Sequence, residues 1–244
     1  DIGSNSAALG ITTVDGTLDA AFYGTALAVQ TVQTSGADAL GGTGTNTISG
    51  TELDAAYSVT KNGKLYLMLT GNVSNYWGMV NIYIDSTSAI SNNVLDTTAV
   101  NPDPVGEIAA QSGITFDTAF SPDYMLFQRG SYNVGWDFSY ISYIDLKAKT
   151  HSEYPLATTN ESINVNYITG TGENAYPIGI ALDNSNTNGV VSGSGAADQV
   201  AAAAVTTGLE LSINLADIGS PTGLVRIAVI AAEQGNANVL NQVL

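Results

Sequence analysis

Apolar and polar residues alternate along much of the chain, with the period of two that a β-strand with one buried face produces. Leucine stands at every second position from Leu65 to Leu69, and valine or isoleucine does so from Val80 to Ile84. The segment Lys61-Asn62-Gly63-Lys64 precedes the leucine run, and Asn-Gly tolerates the positive φ angles of a two-residue hairpin turn. The pattern predicts strands at residues 55–60, 65–70, 80–85, 124–128, 136–144, 163–168, 178–182, 209–215, 224–232 and 239–244.

Helical signals are short by comparison. The sequence predicts helices at residues 53–56 and 198–204 and a turn at 215–218, and segments rich in Gly, Asn, Ser and Thr separate the strands. Many short strands with few helices predict an all-β protein built as a single β-sandwich of jelly-roll type. Because no Pro-rich or charged linker divides the chain, residues 11–244 are predicted to form one domain, preceded by an N-terminal arm at residues 1–10.

The net charge of the chain disfavours two classes of binding partner, nucleic acids and anionic membranes. The 244 residues include six basic and 22 acidic side chains, which give a formal net charge of −16. Such a surface repels phosphate backbones and anionic lipids, so nucleic-acid binding and membrane attachment are disfavoured. No apolar stretch approaches the roughly 18 residues of a membrane span, which predicts no membrane insertion. The absence of cysteine excludes disulfides and cysteine nucleophiles.

The first residues bear on location. The chain begins at Asp1, with neither an initiator Met nor a charged and apolar leader. This start predicts a mature chain whose signal peptide has been removed, located outside the cell or at the cell surface.

Four segments carry a family resemblance: VDGTLD at 14–19, KLYLMLTGN at 64–72, VNIYID at 80–85 and GLELSINLADIG at 208–219. Their order resembles that of family 9-like carbohydrate-binding modules and related DOMON-like sandwiches. The whole chain is similar to uncharacterised secreted bacterial β-sandwich proteins in which such segments, and NQVL at 241–244, recur. The resemblance implies a carbohydrate-binding-module-like sandwich and export from the cell, and it implies no activity.

Residues suited to catalysis are sparse in the sequence. His151 is the only histidine and lies in a polar stretch that predicts a surface loop. A haem site of the kind some DOMON domains carry would need His151 with a methionine such as Met68, which the strand pattern instead places in the core. No pair of carboxylates stands out as a hydrolase centre. The sequence therefore predicts a non-catalytic protein.

Oxygen-rich loops in an acidic chain suggest calcium as a cofactor, because a hard cation requires several oxygen ligands. Side-chain oxygens recur at short intervals in the loop before Gly189, which partly copies the first half of an EF-hand. The candidate ligands are Asp183, Asn184, Asn186 and Asn188, with Asp85 as a weaker candidate. The alternative interpretation is an Asn-rich turn whose side chains cap its own backbone.

Aromatic side chains provide the candidate glycan site, since flat rings stack on the apolar faces of sugars. Tyr76 and Trp77 lie between two predicted strands and are the candidate platform. Trp136, Phe138 and Tyr140 share one face of a predicted strand, which favours a place in the core.

Two functions fit these patterns. The first is a non-catalytic extracellular structural protein, a subunit of a surface layer, filament or matrix whose partner is a copy of itself. Its apolar end, residues 239–244, would complete either its own sheet or the edge of a neighbour. The alternative is a secreted carbohydrate-binding module that recognises an extracellular glycan through Tyr76 and Trp77.

Overall fold

The computed structural model describes residues 14–36, 50–74, 77–87, 92–100, 106–133, 136–159, 162–168, 174–233 and 238–244. The predicted arm at residues 1–10 lies outside these ranges. The strands are β1 (Ala28–Val29), β2 (Glu52–Lys61), β3 (Lys64–Asn72), β4 (Gly78–Asp85), β5 (Tyr124–Asn133), β6 (Trp136–Asp145), β7 (Thr150–Thr159), β8 (Ser162–Ile168), β9 (Ile178–Leu182), β10 (Gly208–Asn214), β11 (Arg226–Glu233) and β12 (Asn238–Val243). The helices are α1 (Ala20–Tyr23) and α2 (Gln199–Ala203), with 3-10 turns at Ala109–Gln111 and Leu215–Ile218.

The strands form an all-β sandwich. Their hydrogen-bonded order is β1-β2-β3-β10-β9-β8-β7-β6-β5-β4-β11-β12, and the pairs of neighbouring strands are antiparallel. We call β1, β2, β3, β10, β9 and β8 the first sheet. We call β7, β6, β5, β4, β11 and β12 the second sheet. Alternate apolar side chains of both sheets share one core, including Leu67 and Leu211 of the first and Ile82 and Ile141 of the second. The alternation in the sequence corresponds to this buried face.

Both sheets are also covered on their outer faces. Residues 14–36, the first cover, place Tyr23 against Tyr57 and Met68 of the first sheet. Residues 92–100 and 106–123, the second cover, place a further apolar group against the second sheet, among them Ile108 and Phe120. Polar or charged side chains on these outer faces are therefore buried as well, and each needs an internal partner.

Two local predictions are wrong. Residues 53–56 were expected to be helical, but they belong to β2, where pairing with β3 outweighs the helix propensity of Leu and Ala. His151 was expected in a surface loop, but it lies in β7 with 7% of its surface exposed.

The helix expected at 198–204 is confirmed as α2, whose N-cap Asp198 accepts hydrogen bonds from the amides of Val200 and Ala201.

The apolar C-terminal segment completes its own sheet. β12 pairs with β11, and Leu240 joins the core. The Gln242 side chain accepts a hydrogen bond from the Leu53 amide at 2.7 Å and donates one to the Leu53 carbonyl at 3.3 Å. Asn241 exchanges hydrogen bonds with Ser35. The backbone amide of Asn241 is therefore already bonded within the subunit, to the Ser35 hydroxyl.

Among the described residues, no helix has both the length and the apolar character needed to span a membrane.

Candidate functional site

The loop after β9 contains four of the residues predicted to bind calcium. The Asp183 carboxylate accepts a hydrogen bond from the Ser185 amide, and Asn186 Oδ1 accepts one from the Asn188 amide. Asn184 is buried, and its amide group both accepts from and donates to the backbone of Val73. These contacts match the alternative in which the loop's side chains cap backbone groups.

Asp85 lies at the other end of the sandwich. Asp85 is the last residue of β4. The 183–190 loop follows β9 at the opposite end, where β3 also ends and β10 begins. The buried carboxylate of Asp85 is 3.5 Å from Arg226 and accepts a hydrogen bond from the Ser121 amide. The structure therefore does not bring Asp85 together with Asp183.

Sequence reasoning missed two acidic residues beneath this loop. Glu52 and Asp54 open β2, and Asn72 is the register partner of Glu52 at the end of β3. All three side chains are buried. Asn186 joins two of them, since its Nδ2 donates to Glu52 Oε1 at 3.1 Å and its carbonyl accepts from Asn72 Nδ2 at 3.0 Å. We call Glu52, Asp54 and Asn72 the β2 niche.

Asp54 is completely buried in the β2 niche. Burial raises the pKa of its carboxyl to about 7, against the opposing effect of a 2.8 Å hydrogen bond from the Val190 amide to Oδ1. The loop lies so close that a Cβ on Gly189 would be 2.3 Å from Asp54 Oδ1. Only glycine fits at this position.

Glu210 is a buried carboxylate whose oxygens are all in use. It lies on β10, on the outer face of the first sheet, and accepts hydrogen bonds from the Asp15 amide at 2.7 Å, the Gly16 amide at 3.0 Å and the Tyr23 hydroxyl at 2.7 Å. Burial raises the pKa of Glu210, and the hydrogen bonds oppose that rise. Three donors from the first cover make Glu210 its attachment point.

Arg129 is a buried charged residue on the outer face of the second sheet, as Glu210 is on that of the first. It lies on β5, 2.8 Å from Glu107 of the second cover and 3.3 Å from Glu153 of β7. Its guanidinium stacks over the Tyr140 ring at 4.5 Å. Tyr140, predicted to be a core residue, is half-buried in this outer layer.

The predicted aromatic platform is described only in part. Tyr76 lies outside the described residues, as do the side chains of Trp136 and Phe138. Trp77 is half-buried just before β4 and has a φ of 63°, in the left-handed region that bulky residues rarely adopt. Met68 is buried in the first cover's apolar cluster, as the strand pattern predicted.

All four lysines and Arg226 lie at one end of the sandwich. Lys61 and Lys64 flank the β2–β3 turn, Lys147 and Lys149 lie in or beside the β6–β7 turn, and Arg226 opens β11. The segment 215–225 connects the two sheets there, with the Leu215 amide donating to the Gly63 carbonyl. We call this the lysine end.

A groove lined in part by leucines opens at the lysine end. It has a volume of about 280 Å³, and Leu27, Leu65 and Leu224 line it. Leu27 and Leu224 are 72% and 74% exposed. At the opposite end Asp183 follows β9 and Glu233 ends β11, and both are partly exposed. We call this the acidic end.

Comparisons with protein-family models, with curated proteins and with solved structures return no match to this chain. The resemblance to carbohydrate-binding and DOMON-like modules therefore stays a prediction.

The buried charges have a common arrangement. Glu210 holds residues 15–23, Arg129 holds Glu107, and Asp217 accepts hydrogen bonds from the amides of Ala175 and Tyr176. Carboxylates bonded to backbone amides in this way fix loops in place. The lysine-end groove and the β2 niche are not explained by loop attachment of this kind.

Proposed function

We propose that the protein is a non-catalytic extracellular structural protein, a subunit of a surface layer, filament or matrix. Copies join end to end, with the lysine end of one copy against the acidic end of the next. The observation that carries this proposal is the placement of all four lysines at the same end as a groove with exposed leucines, in a chain with net charge −16.

The lysine end is the surface at which a second copy can approach with the least electrostatic repulsion. Two copies repel each other over most of their surfaces, because each carries a large negative charge. At the lysine end Lys147 pairs with Asp123 at 2.6 Å, and Lys149 pairs with Asp96 at 3.2 Å. The local negative charge is thereby offset, so this end approaches an acidic surface at the lowest electrostatic cost.

The groove supplies apolar area for the same contact. Leu27 and Leu224 are among the most exposed large apolar side chains of the described residues. Burying each one in an interface contributes on the order of 1.5–3 kcal/mol before entropy is counted. Because the two surfaces differ, the contact is head-to-tail, and where its rotation does not close into a ring it generates an open polymer.

Rigidity also suits a structural subunit. Both sheets are covered on both faces, and the covers are held by buried groups such as Glu210 and Arg129. With lysines confined to one end, few sites are open to trypsin-like proteases.

Replacing Leu224 with aspartate tests the proposal. We expect the purified wild-type chain to form filaments or ordered sheets in electron micrographs, and Leu224→Asp to remain monomeric in sedimentation velocity. The added charge faces the neighbour's acidic end, and the apolar contact is lost. Val200→Asp is the matched control, because Val200 is 81% exposed on α2 and receives the same charge.

The two variants together determine the outcome. Assembly by Val200→Asp but not by Leu224→Asp supports the lysine-end contact. Loss of assembly in both would show that net charge alone governs association. Monomers or closed dimers of the wild-type chain would contradict head-to-tail assembly.

Trp77 favours a second candidate function, a carbohydrate-binding module. A left-handed φ costs a bulky residue about 1–3 kcal/mol and persists mainly where other constraints hold it, often at binding sites. If Trp77 stacks on a glycan, Trp77→Ala should abolish retardation of the protein in gels that contain soluble polysaccharide. Tyr176→Ala, which removes another exposed aromatic ring, should leave the retardation unchanged. Equal migration of wild type and Trp77→Ala in every gel would exclude this function for Trp77.

A further inference from the structure

The β2 niche contains buried acceptors that receive no donor. Among the described residues, neither Asp54 Oδ2 nor Asn72 Oδ1 has a hydrogen-bond partner, and both atoms are buried. Glu210, by contrast, receives three donors. A buried acceptor without a partner costs about 1–3 kcal/mol, more if it is charged, so something else must satisfy these oxygens.

A bulge in β2 aims both acidic residues of the niche away from the core. Leu53 pairs with Gly71 and Ala55 with Thr70, so Asp54 is the extra residue. Leu53 and Ala56 face the core, while Ala55 belongs to the cluster on the outer face. Asp54 faces the covering loop, where Val190 and Gly189 contact its carboxylate.

The same loop contacts every member of the niche. Asn186 bonds Glu52 and Asn72, and the Val190 amide bonds Asp54, so all three side chains lie under residues 186–190. On the strand side Glu52 and Asn72 are cross-strand partners, and such partners have Cβ atoms about 4.5–5.5 Å apart. The three side chains of the niche are therefore neighbours between the β2–β3 pair and the loop.

We propose that the β2 niche binds a divalent cation, calcium, through the carboxylates of Glu52 and Asp54 and the Oδ1 atom of Asn72. Two carboxylates offset the cation's charge, and an amide oxygen and nearby backbone carbonyls add neutral ligands of the kind calcium takes. In this assignment the 183–190 loop is the lid of the site. Asn186 is a positioning residue, and Asp183 is not a ligand.

A proton or a water molecule is the competing explanation for the acceptors without donors. A protonated Asp54 would donate to a neighbouring acceptor, and a water would donate to two. Neither alternative makes stability depend on calcium. The experiment therefore compares the full-length chain with and without the cation.

We expect calcium to bind the wild-type chain in isothermal titration calorimetry. At a concentration 100-fold above the dissociation constant, it should raise the melting temperature by about 5 °C or more over the value in chelator. Asp54→Asn should weaken calcium binding at least tenfold while keeping or raising the melting temperature in chelator, because the new amide supplies a donor. Glu52→Gln, which keeps the acceptor for Asn186, should also weaken binding.

Asp183→Asn is the matched control, since it removes a carboxylate from the same loop and leaves an oxygen to accept from Ser185. It should bind calcium with the wild-type affinity. Wild-type affinity in Asp54→Asn, or a loss of binding only in Asp183→Asn, would overturn the assignment. So would a wild-type chain that shows neither heat nor a melting shift with millimolar calcium. That last result does not depend on any variant folding.

Discussion

Replacing Glu210 with alanine is expected to lower the free energy of unfolding by about 3–5 kcal/mol, because two buried donors and one partly buried donor lose their acceptor at once. The Asp15 and Gly16 amides and the Tyr23 hydroxyl all point at this carboxylate. Each unsatisfied donor costs about 1–3 kcal/mol, and partial opening of the first cover relieves some of that cost. Urea denaturation followed by tryptophan fluorescence measures the loss.

Two matched variants divide the effect. Tyr23→Phe removes one donor and leaves the carboxylate with its two amide partners, so a loss of about 1 kcal/mol is expected. Glu210→Gln keeps an acceptor oxygen, so its loss in free energy of unfolding should lie between those of Tyr23→Phe and Glu210→Ala. A loss below 1 kcal/mol for Glu210→Ala would mean that the apolar contacts of Tyr23 hold the first cover without the carboxylate.

Glu210→Ala should also make the chain more sensitive to proteolysis. If Glu210 holds the first cover, Glu210→Ala should expose Phe22 and Tyr23 to chymotrypsin under native conditions, while the wild-type chain resists cleavage there. This measurement reports on the cover alone, whereas denaturation reports on the whole sandwich.

The sequence predicted the strands well because their signal is local. Alternation within 65–70 and 80–85 depends only on which face of a strand is buried, and both segments lie within β3 and β4. The hairpin at Asn62-Gly63 is confirmed by φ angles of 52° and 74°, which a type I′ turn requires.

Strand β7 was missed for a physical reason. Its first four residues are polar, and Pro155 lies in its middle, which argues against a central strand. In the structure β7 pairs with β8 only at Thr158 and Thr159, so at Pro155 the strand is bonded to β6 alone. An edge position of this kind tolerates proline.

The candidate sites depend on contacts that no local pattern encodes. Glu52 meets Asn186 across 134 positions, and Glu210 meets Asp15 across 195. The sequence drew attention to the polar loop at 183–188, but the niche beneath it is formed by a strand more than 100 residues earlier. An acidic pair inside an otherwise apolar strand, as in TELDAAY at 51–57, was the available signal.

Replacing Arg129 with methionine is the second large effect that we expect. Glu107 is 2.8 Å from the guanidinium and almost completely buried, so the substitution leaves a carboxylate without its charge partner. Breaking a buried pair by removing one member costs about 3–5 kcal/mol. The loss should appear in urea denaturation, together with binding of a hydrophobic dye as the second cover detaches from its apolar cluster.

Two comparisons separate the charge from the packing. Lys149→Met removes a pair whose acid, Asp96, is exposed, so a loss of about 0–1 kcal/mol is expected there. Arg129→Met combined with Glu107→Gln removes both charges, and it should recover part of the stability lost in Arg129→Met. If the double variant is as unstable as the single one, stacking on Tyr140 and contact with Glu153 account for the role of Arg129. If it recovers, the ion pair with Glu107 is what holds the second cover, as Glu210 holds the first.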